Sequence, residues 1–95
     1  MDERDDVVRY QRSPHVVWRR TLEVIVVLAV DGTEPLVLGG TAADVWTLLA
    51  EARTLDDLVE VLAEHYSGEA GVIAADVATL LATLCESGVV LSTAT

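Results

Sequence analysis

An α+β domain of winged-helix type, a three-stranded antiparallel sheet followed by three α-helices, is the fold class these 95 residues predict. Three observations carry that expectation. The stretch from His15 to Leu38 is rich in β-branched residues, with a turn near Thr21 that carries no glycine or asparagine signal and a second at Asp31-Gly32, a strong hairpin signal because both turn positions must tolerate positive φ. From Thr41 onward, apolar residues recur at helical spacing in three successive segments. A chain of this length has room for one modest core, and strands followed by helices place it in the α+β class.

The elements follow in order. Residues 1–9 are expected to form a flexible tail ahead of a domain spanning 10–95, because Met1 to Asp6 alternates charges without apolar periodicity. No regular element is expected around Val7, Val8 and Tyr10, and Ser13-Pro14 closes this lead-in. His15 to Arg20 alternates as a half-buried first strand with Val16 and Trp18 on one face. Leu22 to Val30, charged only at Glu23, is apolar on both faces and reads as the central strand. Thr33 to Leu38 returns beside it, and Pro35, lacking an N–H, puts this third strand at the sheet's edge.

Gly39-Gly40 breaks the strand, and Thr41 with Asp44 makes a capping-box-like start to a helix reaching about Ala52. Thr54 with Asp57 repeats that grammar for a second helix to about Tyr66, with Leu55, Leu58, Val59, Leu62 and Tyr66 at helical spacing. A third helix runs from about Val72 to Ser87, apolar at Ile73, Val77, Leu80, Leu81 and Leu84, and Gly88 stops it. Val89 to Leu91 fits either a short terminal strand or a docked tail.

Charge excludes more than it includes. The formal net charge is -10, and five of the six arginines lie in the first twenty positions. From Thr21 onward Arg53 alone faces twelve acidic residues, a surface that repels phosphate backbones. Nucleic acid is therefore not an expected partner. No apolar run approaches the ~18 residues of a membrane helix, and the acidic start is unlike a signal peptide. A single cysteine, Cys85, forbids an internal disulfide and fits a reducing cytoplasm.

Catalytic groups do not converge. His15 and His65 lie fifty positions apart, and neither stands in metal-ligand spacing with Cys85. Cys85 sits in the apolar third helix with no base in view, which reads as an inert thiol. Leu-Gly-Gly-Thr lacks the lysine and spacing of a phosphate loop. No enzyme, cofactor or metal is expected.

At Pro14-His-Val-Val-Trp-Arg19, Leu36-Val-Leu-Gly-Gly-Thr-Ala-Ala-Asp-Val-Trp46, Thr54-Leu-Asp-Asp-Leu58, Asp76-Val-Ala-Thr-Leu-Leu81 and Gly88-Val-Val90, the sequence resembles the PqqD-like family. These are leader-peptide recognition domains of ribosomally made, modified peptide pathways. The likeness runs from about Tyr10 to Leu91 and rests on the set of motifs, no one of which is decisive. A small, acidic, stand-alone member is most similar to the recognition proteins of lasso-peptide clusters. The partners so implied are a precursor leader peptide, a leader peptidase and a cyclase. Many relatives carry an asparagine where this chain has Gly39.

The resemblance implies that the leader adds as an antiparallel strand beside strand 34–39, with its side chains in a cleft against helix 72–87. That agrees with the open edge read from Pro35. The expected peptide-binding residues are Leu36, Val37, Leu38 and Gly39 on the strand, and Asp76, Leu80, Thr83 and Leu84 on one helical stripe. Leu80 and Leu84 fit the core equally, and Asp76 fits a solvated face as well as a leader's hydroxyl, amide or cation. Trp18, Val24 and Val26 are further wall candidates. On this reading a charge at Leu38 or Leu80 abolishes leader binding and spares the fold. Two other classes compete. A winged-helix DNA-binding regulator suits the architecture, but helix 72–87 has no basic residue. An acyl-carrier-like domain lacks a serine in the context that holds a phosphopantetheine arm.

Overall fold

In a computed structural model, which describes residues 7–29, 32 and 34–94, the chain order is strand, strand, strand, strand, helix, helix, helix, strand. The strands are β1 (Val8–Arg12), β2 (Val16–Arg20), β3 (Val24–Ala29), β4 (Leu36–Gly39) and β5 (Val90–Ala94). The helices are α1 (Thr41–Leu48), α2 (Leu55–His65) and α3 (Ala70–Glu86). The expected sheet is present as β2-β3-β4, antiparallel throughout, with β3 in its middle. β4 starts one residue after Pro35, as a residue without an N–H requires. Asp31 and Thr33 lie outside the described residues, so the expected Asp31-Gly32 turn is not described.

A second sheet was not expected. β1 pairs with β5 from Val8↔Ala94 to Arg12↔Val90, where the sequence reading had no regular element at one end and an open choice at the other. Residues 1–6 of the expected tail lie outside the described residues, whereas Val8 and Arg9 stand in β1. Polar composition hides this strand, because its stabilisation is long-range backbone pairing. Tyr10 exchanges two hydrogen bonds with Arg53 in the α1–α2 connection, at 2.8 and 2.9 Å, and Ser13 N–H donates to Val89 at 2.9 Å. β1 and β5 are thus tied to the helical layer.

The β2–β3 turn has no glycine because a hydroxyl organises it. Thr21 Oγ1 accepts from Val24 N–H at 3.1 Å, and its backbone N–H donates to the Val24 carbonyl at 2.8 Å. The central strand therefore starts at Val24, two residues later than expected, and Leu22 projects fully into solvent.

Strand alternation sends Ile25, Val27 and Leu38 inward to meet Val45, Trp46 and Leu49 of the α1 segment, Leu58 and Leu62 of α2, and Val77, Leu81 and Leu84 of α3. Val17 and Val37 point outward with Val24, Val26 and Leu28, which leaves an apolar outer face on the sheet. Val24 and Val26 therefore do not face the helices.

Two helix starts that look alike in sequence differ in space. Thr54 is the N-cap of α2 with the complete box: Asp57 N–H donates to its Oγ1 at 3.0 Å, and its own N–H donates to Asp57 Oδ2 at 3.2 Å. Thr54→Ala is expected to cost about 1 kcal/mol, a drop of roughly 4–8 °C in a thermal melt. Thr41, by contrast, is already helical, and Gly40 takes the N-cap with φ 57° and ψ -129° and no side-chain bond. Only glycine enters that backbone region without strain, so the strand-to-helix corner depends on Gly40. α1 also ends at Leu48, earlier than the expected Ala52, because residues 49–51 turn to receive β1.

Candidate functional site

β4 is an edge. It pairs with β3 through Val24↔Gly39, Ile25↔Leu38, Val26↔Val37 and Val27↔Leu36, and no described strand pairs with its other side. Its outer row of backbone N–H and C=O groups is therefore available for a ladder with another chain. Side chains along it alternate: Leu36 is half-buried, Val37 exposed, Leu38 buried and Gly39 exposed. An added Cβ on Gly39 would meet only Val24 Cγ1 at 3.5 Å, an ordinary contact, so nothing steric demands glycine there.

Gly40 turns the chain from β4 into α1, and a cavity of about 250 Å³ opens beyond that corner. Thr41 of α1, Leu62 and Tyr66 of the α2 end, the Ser67–Glu69 loop, and Val72, Ile73 and Asp76 of α3 line it. Val72, Ile73 and Asp76 share one face because they are three and four residues apart on a helix. Val72 is 58 % exposed, an apolar side chain turned to water in a groove with a carboxylate at its end.

The expected site residues divide. Asp76 lies in the groove; Leu80 is half-buried against the core, and Thr83 is exposed further along α3. Leu84 is 1 % exposed, so it is a core residue with no surface to offer, and Leu38 at 5 % contributes only backbone to the edge. Trp18 lies edge-on to Trp46, with ring centroids 6.1 Å apart, and so belongs to the β2–α1 side. Missed by the sequence reading were Thr41, Tyr66 and Val72 as groove walls. The i, i+4 relation of Val72 to Asp76 was the one signal that pointed there.

Tyr66 is held in place by donating its hydroxyl to Asp44. That bond, above all other causes, raises the phenol's pKa. The sign follows: the contribution is present below the ordinary phenol range and is lost as pH rises through the elevated folded value. Asp44→Asn is expected to lower the alkaline midpoint of Tyr66, read by phenolate absorbance, with no change near neutral pH. Cys85 is half-buried, and burial pushes its thiol up despite a hydrogen bond with Ser92, which makes it a poor nucleophile. Among the described residues no group of three His, Cys, Asp or Glu side chains could hold a metal ion. No helix among them is long and apolar enough to cross a membrane.

Fold and site together define a small α+β domain with β4 at a sheet edge and, past the Gly40 corner, a groove between α2 and α3. The model of the family "Coenzyme PQQ synthesis protein D (PqqD)" matches residues 25–90, from the central strand to the start of β5. The chain belongs to the PqqD family. Among solved structures it is similar to "TbiB1 in Complex with the TbiA(beta) Leader Peptide", with a TM-score of 0.77 and 22% identity. That match covers 84% of this chain and 93% of the other and establishes a shared fold. No curated protein matches the sequence at a significant level.

Proposed function

We propose that this chain is a non-catalytic adaptor that binds the leader of a ribosomally made precursor as an added β-strand on β4. Its task is to deliver that precursor to the leader peptidase and cyclase of a lasso-peptide-type pathway in the cytoplasm. The observation that carries the reading is the edge position of β4 together with a groove, past the Gly40 corner, that holds exposed Val72 and Asp76. Membership of the PqqD family supports it, as does the shared fold with TbiB1, whose structure contains a leader peptide.

Energetics divide the work between backbone and side chains. A five-residue ladder supplies a handful of hydrogen bonds at ~0.5–1.5 kcal/mol net each. Sub-micromolar affinity needs more than ~8 kcal/mol after ordering costs, so the ladder alone falls short. Two or three leader side chains, each worth ~1.5–3 kcal/mol on burial, close the gap. In this reading Leu36, Val37, Leu38 and Gly39 contribute backbone. Asp76, Val72 and Ile73 receive the side chains in the groove, with Leu80 and Thr83 along the same helix. By resemblance to lasso-peptide leaders, those side chains are a tyrosine, a proline and a leucine or similar residue.

The test is hydrogen exchange with and without the leader of a short precursor encoded beside this chain. Saturating leader is expected to protect amides in β4 at residues 36–39 and to leave β2 unchanged. Protection confined to α2 or β2, or no protection at all, would overturn the reading.

A further inference from the structure

Two arginines stand together on a strongly acidic protein, and among the described residues neither is in an ion pair. Arg12 lies over the rings of both Trp18 and Trp46, with Cζ 4.8 and 5.5 Å from their centroids. Arg20, two residues beyond Trp18 on the same face of β2, donates from Nη2 to Thr47 Oγ1 at 2.8 Å. Thr47 Oγ1 donates in turn to the Ala43 carbonyl at 3.0 Å, so this brace is fixed to the α1 backbone. Among the described residues neither guanidinium forms an ion pair; the pair present there is Arg53 with Glu51. The two cations are near enough that Arg20 adds to burial in lowering the pKa of Arg12.

Two like charges on one surface, one set over aromatic rings and the other tied to a hydroxyl, favour the approach of an anion. Beside Arg20 lies a cavity of about 270 Å³ whose floor is apolar, from Leu48, Val61 and Leu62. His65 stands at its rim, donating Nδ1–H to the Val61 carbonyl at 3.0 Å, which leaves its other ring nitrogen unengaged by that bond. Asp44, the acid in this cavity, already accepts from Tyr66.

We propose that Arg12, Trp18, Arg20 and Thr47, with the adjoining cavity, form a docking site for an acidic, partly apolar segment of a partner protein. Planar guanidinium groups with fixed orientation take carboxylates in paired hydrogen bonds at small entropic cost. The apolar floor takes a side chain flanking those carboxylates. A polyphosphate fits less well, because it has no apolar side chain to place on the Leu48, Val61 and Leu62 floor. The site lies by β2, at the opposite edge of the sheet from β4, and stands whether or not β4 takes a leader. For an adaptor, it is a second handle.

The test is a fluorescence titration of the full chain, read through Trp18, with a Glu-Leu-Glu-Glu-Leu-Glu probe peptide and its all-glutamine counterpart. The acidic probe is expected to bind at least about tenfold more tightly than the glutamine one, and the Arg12→Gln/Arg20→Gln variant to lose about tenfold. Thr47→Val, which keeps both charges and removes only the brace, is expected to weaken binding while melting as the wild type does; it serves as the test should the double variant fail to fold. Equal binding of the two probes, no binding of either, undiminished binding by the arginine or threonine variants, or full displacement by excess inorganic phosphate would overturn the proposal.

Discussion

Leu38→Asp is expected to abolish the cooperative thermal transition of the domain. Leu38 is 5 % exposed and sits opposite Ile25 on the inward face of the sheet. Truncating a buried leucine costs ~2–5 kcal/mol, and an unpaired buried carboxylate adds several more. A domain of this size has only ~5–15 kcal/mol to lose. The sequence reading took a charge here as sparing the fold, and alternation along β4 reverses that expectation. Circular dichroism during a melt decides it. A wild-type transition in the variant would mean that Leu38 is not seated in the core.

Val72→Glu is expected to reduce leader affinity by at least about tenfold, or ~1.4 kcal/mol, with the melting curve unchanged. The groove's apolar wall would lose a side chain whose contact surface is worth ~1.5–3 kcal/mol when covered. A second carboxylate would also stand one helical turn from Asp76. Because Val72 is 58 % exposed, the folded domain gives up little, within the ~0.5 kcal/mol of an ordinary surface change. Calorimetric titration beside a melt separates the two effects. Undiminished affinity would remove the α3 groove from the leader's path.

Much of the sheet was legible because its signals are local. Pro35 placed β4 at an edge, the two-faced apolar run at Val24 to Ala29 placed β3 in the middle, and Thr54 with Asp57 opened α2 where the box is found. Thr41 with Asp44 carried the same letters and formed no box, because Gly40 had already turned the backbone into the helix. The β1–β5 pairing left no trace in composition. Its partners are some eighty positions apart, and three of the five residues of β1 are arginine or glutamine, so only the closed chain shows it.

For the candidate site the division is similar. Asp76 was named from helical spacing and does line the groove, whereas Leu84 was named from the same stripe and is core. One stripe served both ends because α3 rotates its flank from groove to core over two turns. Trp18, Val24 and Val26 could not be assigned a face until pairing set the register.

By itself the sequence determined the three strands of the main sheet and the three helices, that one edge of that sheet is open, and that the formal charge is strongly negative. These follow from hydrogen-bonding capacity, side-chain period and charge, all properties of neighbouring residues. Tertiary structure alone decided which side chains of α3 meet water, that β1 pairs with β5, and that Arg12 lies over a pair of tryptophans while Arg20 bonds to Thr47. Those outcomes depend on how layers rotate against one another to fill a single core, and no stretch of a few residues holds that information.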